Sequence, residues 1–177
     1  MANFSLFLVV FLCVGLSLHA NAKPSVKITK EVVNQICSKS INPSFCFNVL
    51  NSDSRTATSD LKGLGLITIN DAQTNLTANQ NLIKSLSSQA TDPTLKKRYD
   101  ECSDHYDEGL SDIQDALQSF KGGDYQAANI QTSAVFTDVD DCEQAWADPP
   151  ADPSQLPSKN KDLKNLLDIT LVITNLL

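Results

Sequence analysis

The stretch from residue 92 to residue 124 reads DPTLKKRYDECSDHYDEGLSDIQDALQSFKGGD and decides the fold. Asp92 is a residue that caps helix starts, Pro93 suits a first helical turn, and Gly122 favours a left-handed helix end. Between these signals, apolar residues recur at spacings of three and four, namely Leu95, Tyr99, Cys102, Tyr106, Leu110, Ile113, Leu117 and Phe120. This spacing predicts a helix of about 30 residues with one buried stripe.

Three other segments repeat the pattern. Residues 55–89 carry a stripe with one polar member, Asn79, and so predict a second long helix. Asp124 is the predicted N-cap of a third helix, whose stripe runs to Trp146. A final apolar helix is predicted to begin near Ser158 as its N-cap. Together these segments indicate four helices with buried faces.

Two stretches lie outside this repeat. The connector of residues 148–158 holds four prolines, which exclude a helix there. Residues 23–52 favour two short helices around Asn42-Pro43, because the residue before proline avoids the helical region. No segment alternates with the period of a strand. We expect an all-α chain, with a helical hairpin followed by an up-and-down four-helix bundle over residues 53–177, in one domain over residues 23–177.

The first 22 residues have the pattern of a secretory signal peptide. They contain no Asp, Glu, Lys or Arg, and the run from Phe4 to Leu18 is almost entirely apolar. The A-x-A cleavage pattern follows at residues 20–22. The run is shorter than the ~20 residues of a membrane-spanning helix. We therefore expect residues 1–22 to be removed, the protein to be secreted, and no membrane association afterwards.

Cleavage would remove Cys13 and leave four cysteines. An even number in a secreted chain implies two disulfides, and four cysteines allow three pairings. Cys37 and Cys46 are sequence neighbours on either side of the hairpin turn, and we expect them to pair. Cys102 and Cys142, which both lie on core-facing stripes, are expected to form the second bond.

Several chemistries lack the residues they need. The net charge is −7, with 14 Lys and Arg against 21 Asp and Glu, which argues against a nucleic-acid partner. Cleavage would leave His105 as the sole histidine, too few for a zinc site or for the paired Glu-x-x-His motifs of di-metal bundles. No G-x-S-x-G motif accompanies it. We therefore predict a solvated surface His105, no catalytic residue, no cofactor and no metal site.

Acidic residues crowd the helix that follows Pro93. They are Asp100, Glu101, Asp104, Asp107, Glu108, Asp112 and Asp115. The spacing of a calcium-binding EF-hand loop is missing, and one helix face offers no cleft with the contrasting environments of a glycosidase pair. The cluster is either a solvated face or a docking face for a basic partner, where charge would raise association rate and specificity.

Two further features bear on the surface and the core. Asn75-Leu76-Thr77 is an N-glycosylation sequon within a predicted helix. The aromatic residues of the stripes favour a packed core over a ligand cage; they are Tyr99, Tyr106, Phe120, Tyr125 and Trp146.

Over residues 23–177 the chain resembles the plant invertase and pectin methylesterase inhibitors. The resemblance lies in the signal peptide, the helical mature chain and the positions of the two cysteine pairs. Three stretches look most like the plane-pollen-allergen group, whose members are described as invertase inhibitors. These are DLKGLG at 60–65, DYQAAN at 124–129 and ITLVITNLL at 169–177.

The resemblance implies a non-catalytic cell-wall protein that forms a one-to-one complex with its enzyme and covers the substrate cleft. The enzyme would be pectin methylesterase, or cell-wall or vacuolar invertase. Cell-wall invertase inhibitors often carry Pro-Lys-Phe after a Gly-Asp pair, whereas Gly123-Asp124 is followed here by Tyr-Gln-Ala. The resemblance also implies docking through the middle bundle helices, and makes candidates of Asp104, Asp107, Glu108, Asp112, Asp115, Asp124, Tyr125 and Gln126.

We further expect a monomer when the protein is free, and the apoplast rather than the vacuole as its location. The alternative to an inhibitor is an allergen-like helical protein that binds a small apolar ligand. That alternative requires a core left open around Asn79 and Thr132.

Overall fold

The computed structural model describes residues 27–177, and the predicted signal peptide of residues 1–22 lies outside the described residues. The described chain forms six α-helices: α1 Lys30–Cys37, α2 Pro43–Ser52, α3 Leu61–Gln89, α4 Pro93–Gly122, α5 Tyr125–Gln144 and α6 Leu156–Thr174. Between residues 27 and 177, the sole extended pairing is an isolated bridge from Lys27 to Asp60. The all-α prediction is confirmed.

The four long helices, α3 to α6, form the predicted up-and-down bundle. Each packs against the next, and α6 also packs against α3, which closes the ring. Ser87 of α3 bonds Asp100 of α4 while Gln80 bonds Asp107, so these two helices are antiparallel. The hairpin of α1 and α2 packs against α6. Over residues 27–177, no helix is both long and apolar enough to cross a membrane.

The structure joins Cys37 to Cys46 and Cys102 to Cys142, and all four residues are buried. The first bond links the two helices of the hairpin across their turn. The second links α4 to α5, far from the short turn that connects these helices. Each disulfide therefore ties together two consecutive helices.

Gly65 allows α3 to approach α4 and α6 closely. A Cβ atom at this position would overlap the ring of Phe120 and would lie 3.3 Å from Cγ2 of Ile173. Glycine weakens an isolated helix by roughly 1 kcal/mol relative to alanine. At this position the cost is offset by packing that a larger residue would disrupt.

Polar side chains inside the bundle bond to one another or to backbone carbonyls. The Tyr106 hydroxyl donates to Oδ1 of Asn160 at 2.8 Å and accepts from Nδ2 of Asn79 at 3.4 Å. The Thr132 hydroxyl donates to the Ala128 carbonyl at 2.7 Å. Asn79 and Thr132 are both buried. The core around them is occupied by bonded side chains, so the feature that would favour an apolar-ligand carrier is not observed there.

The start of α3 differs from the prediction. The helix begins at Leu61 rather than near Arg55, and residues 56–58 form a separate 3₁₀ turn. Asp60 is the N-cap, and its carboxylate accepts a hydrogen bond from the Gly63 amide at 2.7 Å. The predicted helix was too long because its pattern was extended past this cap.

Two other helix ends also differ. Gly123, with φ of 83°, is the left-handed residue after α4, whereas Gly122 is still helical. Helix α6 begins at Leu156 and not at Ser158. Pro157 is accommodated in its first turn, where a missing N–H breaks no intrahelical hydrogen bond.

Candidate functional site: the acidic face of α4 and α5

The acids of α4 divide into two sets according to their partners. Three form ion pairs with lysines: Asp100 with Lys96, Glu101 with Lys97 and Asp107 with Lys84, at 2.8, 3.3 and 3.3 Å. The other four have no ion pair within residues 27–177; they are Asp104, Glu108, Asp112 and Asp115. Their spacing of three and four places them in one row on the helix surface. Helix α4 therefore carries both neutralised acids and a row of uncompensated ones.

Helix α5 adds two acids beside this row. Asp138 lies close enough to Glu108 and Asp112 to feel their charge, and Asp141 is its neighbour on α5. We call Asp104, Glu108, Asp112, Asp115, Asp138 and Asp141 the acidic face. Burial, with the charges of Asp115 and Glu108, raises the pKa of Asp112. Burial and the nearby like charges therefore both disfavour the ionised form of Asp112.

Asp138 has the most strongly shifted pKa of the acidic face. Its Oδ2 atom is buried and has no hydrogen-bond partner in the described part of the chain. Burial first, then the charges of Asp112 and Glu108, raise the pKa of Asp138 to about 6, and His105 opposes this shift. Gly109 provides the space, because a Cβ at that position would lie 3.3 Å from Oδ2.

Asp138→Asn is expected to stabilise the fold by about 1 kcal/mol at pH 7. The pKa of Asp138 is higher in the folded than in the unfolded state. The parent protein therefore has its full stability below pH 3.8 and loses part of it as pH rises through about 6. The full shift of this pKa corresponds to about 3 kcal/mol. We expect a smaller effect because the carboxyl group is partly solvated. Urea unfolding with a chelator at pH 7 and at pH 3.5 measures the effect, which should vanish at the lower pH.

The matched control for this substitution is Asp104→Asn, because Asp104 is exposed on the same face. This variant should change stability by less than about 0.5 kcal/mol. An equal gain from both variants would mean that relief of net charge, and not the position of Asp138, is responsible.

His105 is half-buried beside Asp138, whereas a solvated surface residue was predicted. The prediction considered α4 alone, where the residues next to His105 are polar. In the folded protein, α5 packs beside α4 and covers one side of this polar stretch. No pattern within residues 92–124 indicates this cover, because it depends on the register of two helices.

Three candidate residues lie elsewhere, at the start of α5. The Asp124 carboxylate caps this helix, accepting from the Ala127 amide at 2.9 Å. Tyr125 is half-buried with its ring centroid 5.0 Å from that of Phe120, and Gln126 is exposed. These three residues and the end of α6 line a concavity of about 600 Å³. The candidates therefore occupy two places, while Asp107 faces α3.

Asn75 lies exposed on α3, with Nδ2 donating to the Asp71 carbonyl at 2.8 Å. The sequon residue Thr77 is also exposed. Modification of Asn75 remains a prediction.

Arg98 of α4 contacts both Trp146 and the proline connector. The Arg98 guanidinium lies 5.3 Å from the Trp146 ring centroid and donates to the carbonyls of Asp148 and Pro150 at 2.8 and 2.6 Å. The ring of Tyr99 packs against the Trp146 ring, with 4.9 Å between the two centroids. These contacts indicate a structural role for Trp146.

A solved structure shares this architecture. It is the crystal structure of a mutant form of a pectin methylesterase inhibitor from Arabidopsis, which matches with a TM-score of 0.76 and 30% identity, over 82% of this chain and 96% of that one. The fold is therefore that of the non-enzymatic helical inhibitor proteins. The family model for plant invertase/pectin methylesterase inhibitors matches residues 31–173, and the chain belongs to that family.

Two relatives differ in their sequence identity to this chain. A "Pectinesterase inhibitor" from Actinidia deliciosa is 41% identical over 173 residues, which cover 98% of this chain and 94% of the relative. A "Putative invertase inhibitor" from Platanus acerifolia is 33% identical over 156 residues, covering 85% and 87%. The family resemblance seen in the sequence is confirmed. The overall identity to the Actinidia protein exceeds that to the Platanus protein.

Proposed function

We propose that this protein inhibits pectin methylesterase by forming a one-to-one complex that occludes the active site. The 41% identity to a protein named pectinesterase inhibitor, over nearly the whole chain, carries this proposal. The acidic face supplies unpaired negative charge for basic residues of the enzyme. The Tyr-Gln-Ala at 125–127, where cell-wall invertase inhibitors often carry Pro-Lys-Phe, weakens the case for invertase as the target.

Acid invertase, of the cell wall or the vacuole, is the second candidate target. The 33% identity to the invertase inhibitor of Platanus, over 85% of this chain, supports it. The proposed mechanism is the same, because occlusion of a cleft requires a complementary surface and no reaction.

The proposed setting is the apoplast. The inhibitor domain of residues 23–177 would be released there after removal of residues 1–22, with the vacuole as the less favoured location. We propose that the free protein is monomeric and binds neither membrane nor nucleic acid. An acidic chain with net charge −7 is repelled by nucleic acid.

Titration of the purified, oxidised protein into pectin methylesterase and into acid invertase tests the target. We expect pectin methylesterase activity to fall to its end point at equimolar protein, and the complex to elute with the summed mass. Invertase should keep its activity. The reduced and alkylated protein is the control, because it retains the composition without the two disulfides. Full activity of both enzymes with micromolar inhibitor would contradict the proposal.

A further inference from the structure

His105, Glu108 and Asp138 meet in the groove between α4 and α5. His105 and Glu108 are three residues apart on α4 and therefore lie side by side on one face. Asp138 reaches them from α5. A ring nitrogen of His105 and a carboxylate oxygen of each acid all lie within 4.8 Å of one another. Two helices thus bring three potential metal ligands around one point.

The Asp138 carboxylate is held there without a partner for its buried oxygen. Its Oδ2 atom is covered and receives no hydrogen bond within residues 27–177. Asp138 and Glu108 also form no ion pair with a described lysine or arginine. Buried polar atoms in native proteins are usually satisfied, and an exception points to a bound water or ion. A side chain at Gly109 would crowd this oxygen, because its Cβ would lie 3.3 Å from Oδ2.

We infer that His105, Glu108 and Asp138 form a binding site for a divalent transition-metal ion of the zinc class. Zinc takes imidazole nitrogen and carboxylate oxygen ligands at about 2.0–2.2 Å, which places neighbouring ligand atoms roughly 3.4 Å apart in a tetrahedral site. The exposed Glu108 side chain rotates to close the remaining gap. Three protein ligands leave one position for water.

The ligand set selects zinc over calcium. Calcium takes about six to eight oxygen ligands, whereas imidazole suits zinc, copper and nickel. Asp112 and Asp141 add negative potential near Asp138. That potential attracts every divalent cation equally, and so His105 provides the selectivity.

Zinc binding to the secreted, disulfide-bonded protein tests the site without any enzyme partner. In calorimetric titration with ZnCl₂ at pH 7, we expect one saturable site. In proton NMR spectra, the imidazole signals of His105, assigned with the His105→Gln variant, should shift until one equivalent is reached. His105→Gln and Asp138→Asn should each weaken zinc binding at least about tenfold, because loss of an outer partner alone costs 10–100-fold.

Asp104→Asn is the matched control, since it removes one exposed acid of the same face and should leave zinc affinity unchanged. Asp138→Asn is expected to be more stable than the parent protein, so weaker binding by that variant is not due to unfolding. Equal zinc affinity in all three variants, or calcium binding as tight as zinc binding, would overturn the inference. Loss of enzyme inhibition has no bearing on this test.

Discussion

Replacing Cys102 and Cys142 together by alanine is expected to lower the free energy of unfolding by about 4 kcal/mol. The two residues are 40 positions apart, so their bond removes much conformational freedom from the unfolded chain. A loss of this size is a large part of the 5–15 kcal/mol by which most domains are stable. Urea unfolding at 25 °C, followed by circular dichroism, measures the change.

The matched control is Cys37→Ala with Cys46→Ala. That bond closes a separation of 9 residues and is expected to contribute about 2.5 kcal/mol. All four cysteines are buried, so the two double variants leave comparable cavities. Their difference therefore isolates the dependence on loop length. Equal losses, or a larger loss for the hairpin bond, would show that folded-state packing dominates both contributions.

Neutralising three acids of the acidic face is expected to slow association with pectin methylesterase about tenfold at low salt. The variant is Glu108→Gln, Asp112→Asn and Asp115→Asn. These acids have no ion pairs in the described chain, so their field extends into solvent and accelerates approach of a basic surface. Stopped-flow or surface-binding rates at increasing salt measure the effect, with a chelator present. The parent rate should fall steeply with salt and the variant rate should not.

The control makes the same change of charge on the same helix, at Asp100→Asn, Glu101→Gln and Asp107→Asn. These acids are paired with lysines, so neutralising them changes the net charge by the same amount while leaving the acidic face intact. A control rate close to the parent rate assigns the effect to the acidic face. Equal slowing by both triple variants would assign it to net charge. An unchanged rate in both would direct attention to the concavity beside Tyr125.

Local features of the fold were predictable because their causes lie within a few residues. Asp92 and Asp124 cap α4 and α5 through amides two or three residues away. The stripes follow from helical periodicity, and the hairpin follows from the proline turn. Asp60 is a cap of the same kind, so the true start of α3 was detectable from its residue type.

The candidate site was only partly predictable. The acids of α4 are visible in the sequence, and the pairing of Asp100 and Glu101 with lysines four residues earlier on the same helix follows from helical spacing. The pairing of Asp107 does not, because its lysine, Lys84, lies on α3. Asp138 has no local signal of its role. The sequence-based argument against a metal site counted histidines and cysteines, and it did not include carboxylates brought in from a second helix.

The amino-acid sequence by itself determined the helices and the hairpin turn, because periodicity, capping and turn formation act over short separations. The family resemblance and the expected cysteine pairs were also visible in the sequence, through its motifs and the positions of four cysteines. Tertiary structure alone decided which atoms meet between helices: Gly65 against Phe120, and His105 and Glu108 against Asp138. These contacts depend on the relative rotation and register of packed helices. A shift of one residue would turn each side chain by about 100° and would separate the groups that the native register brings together.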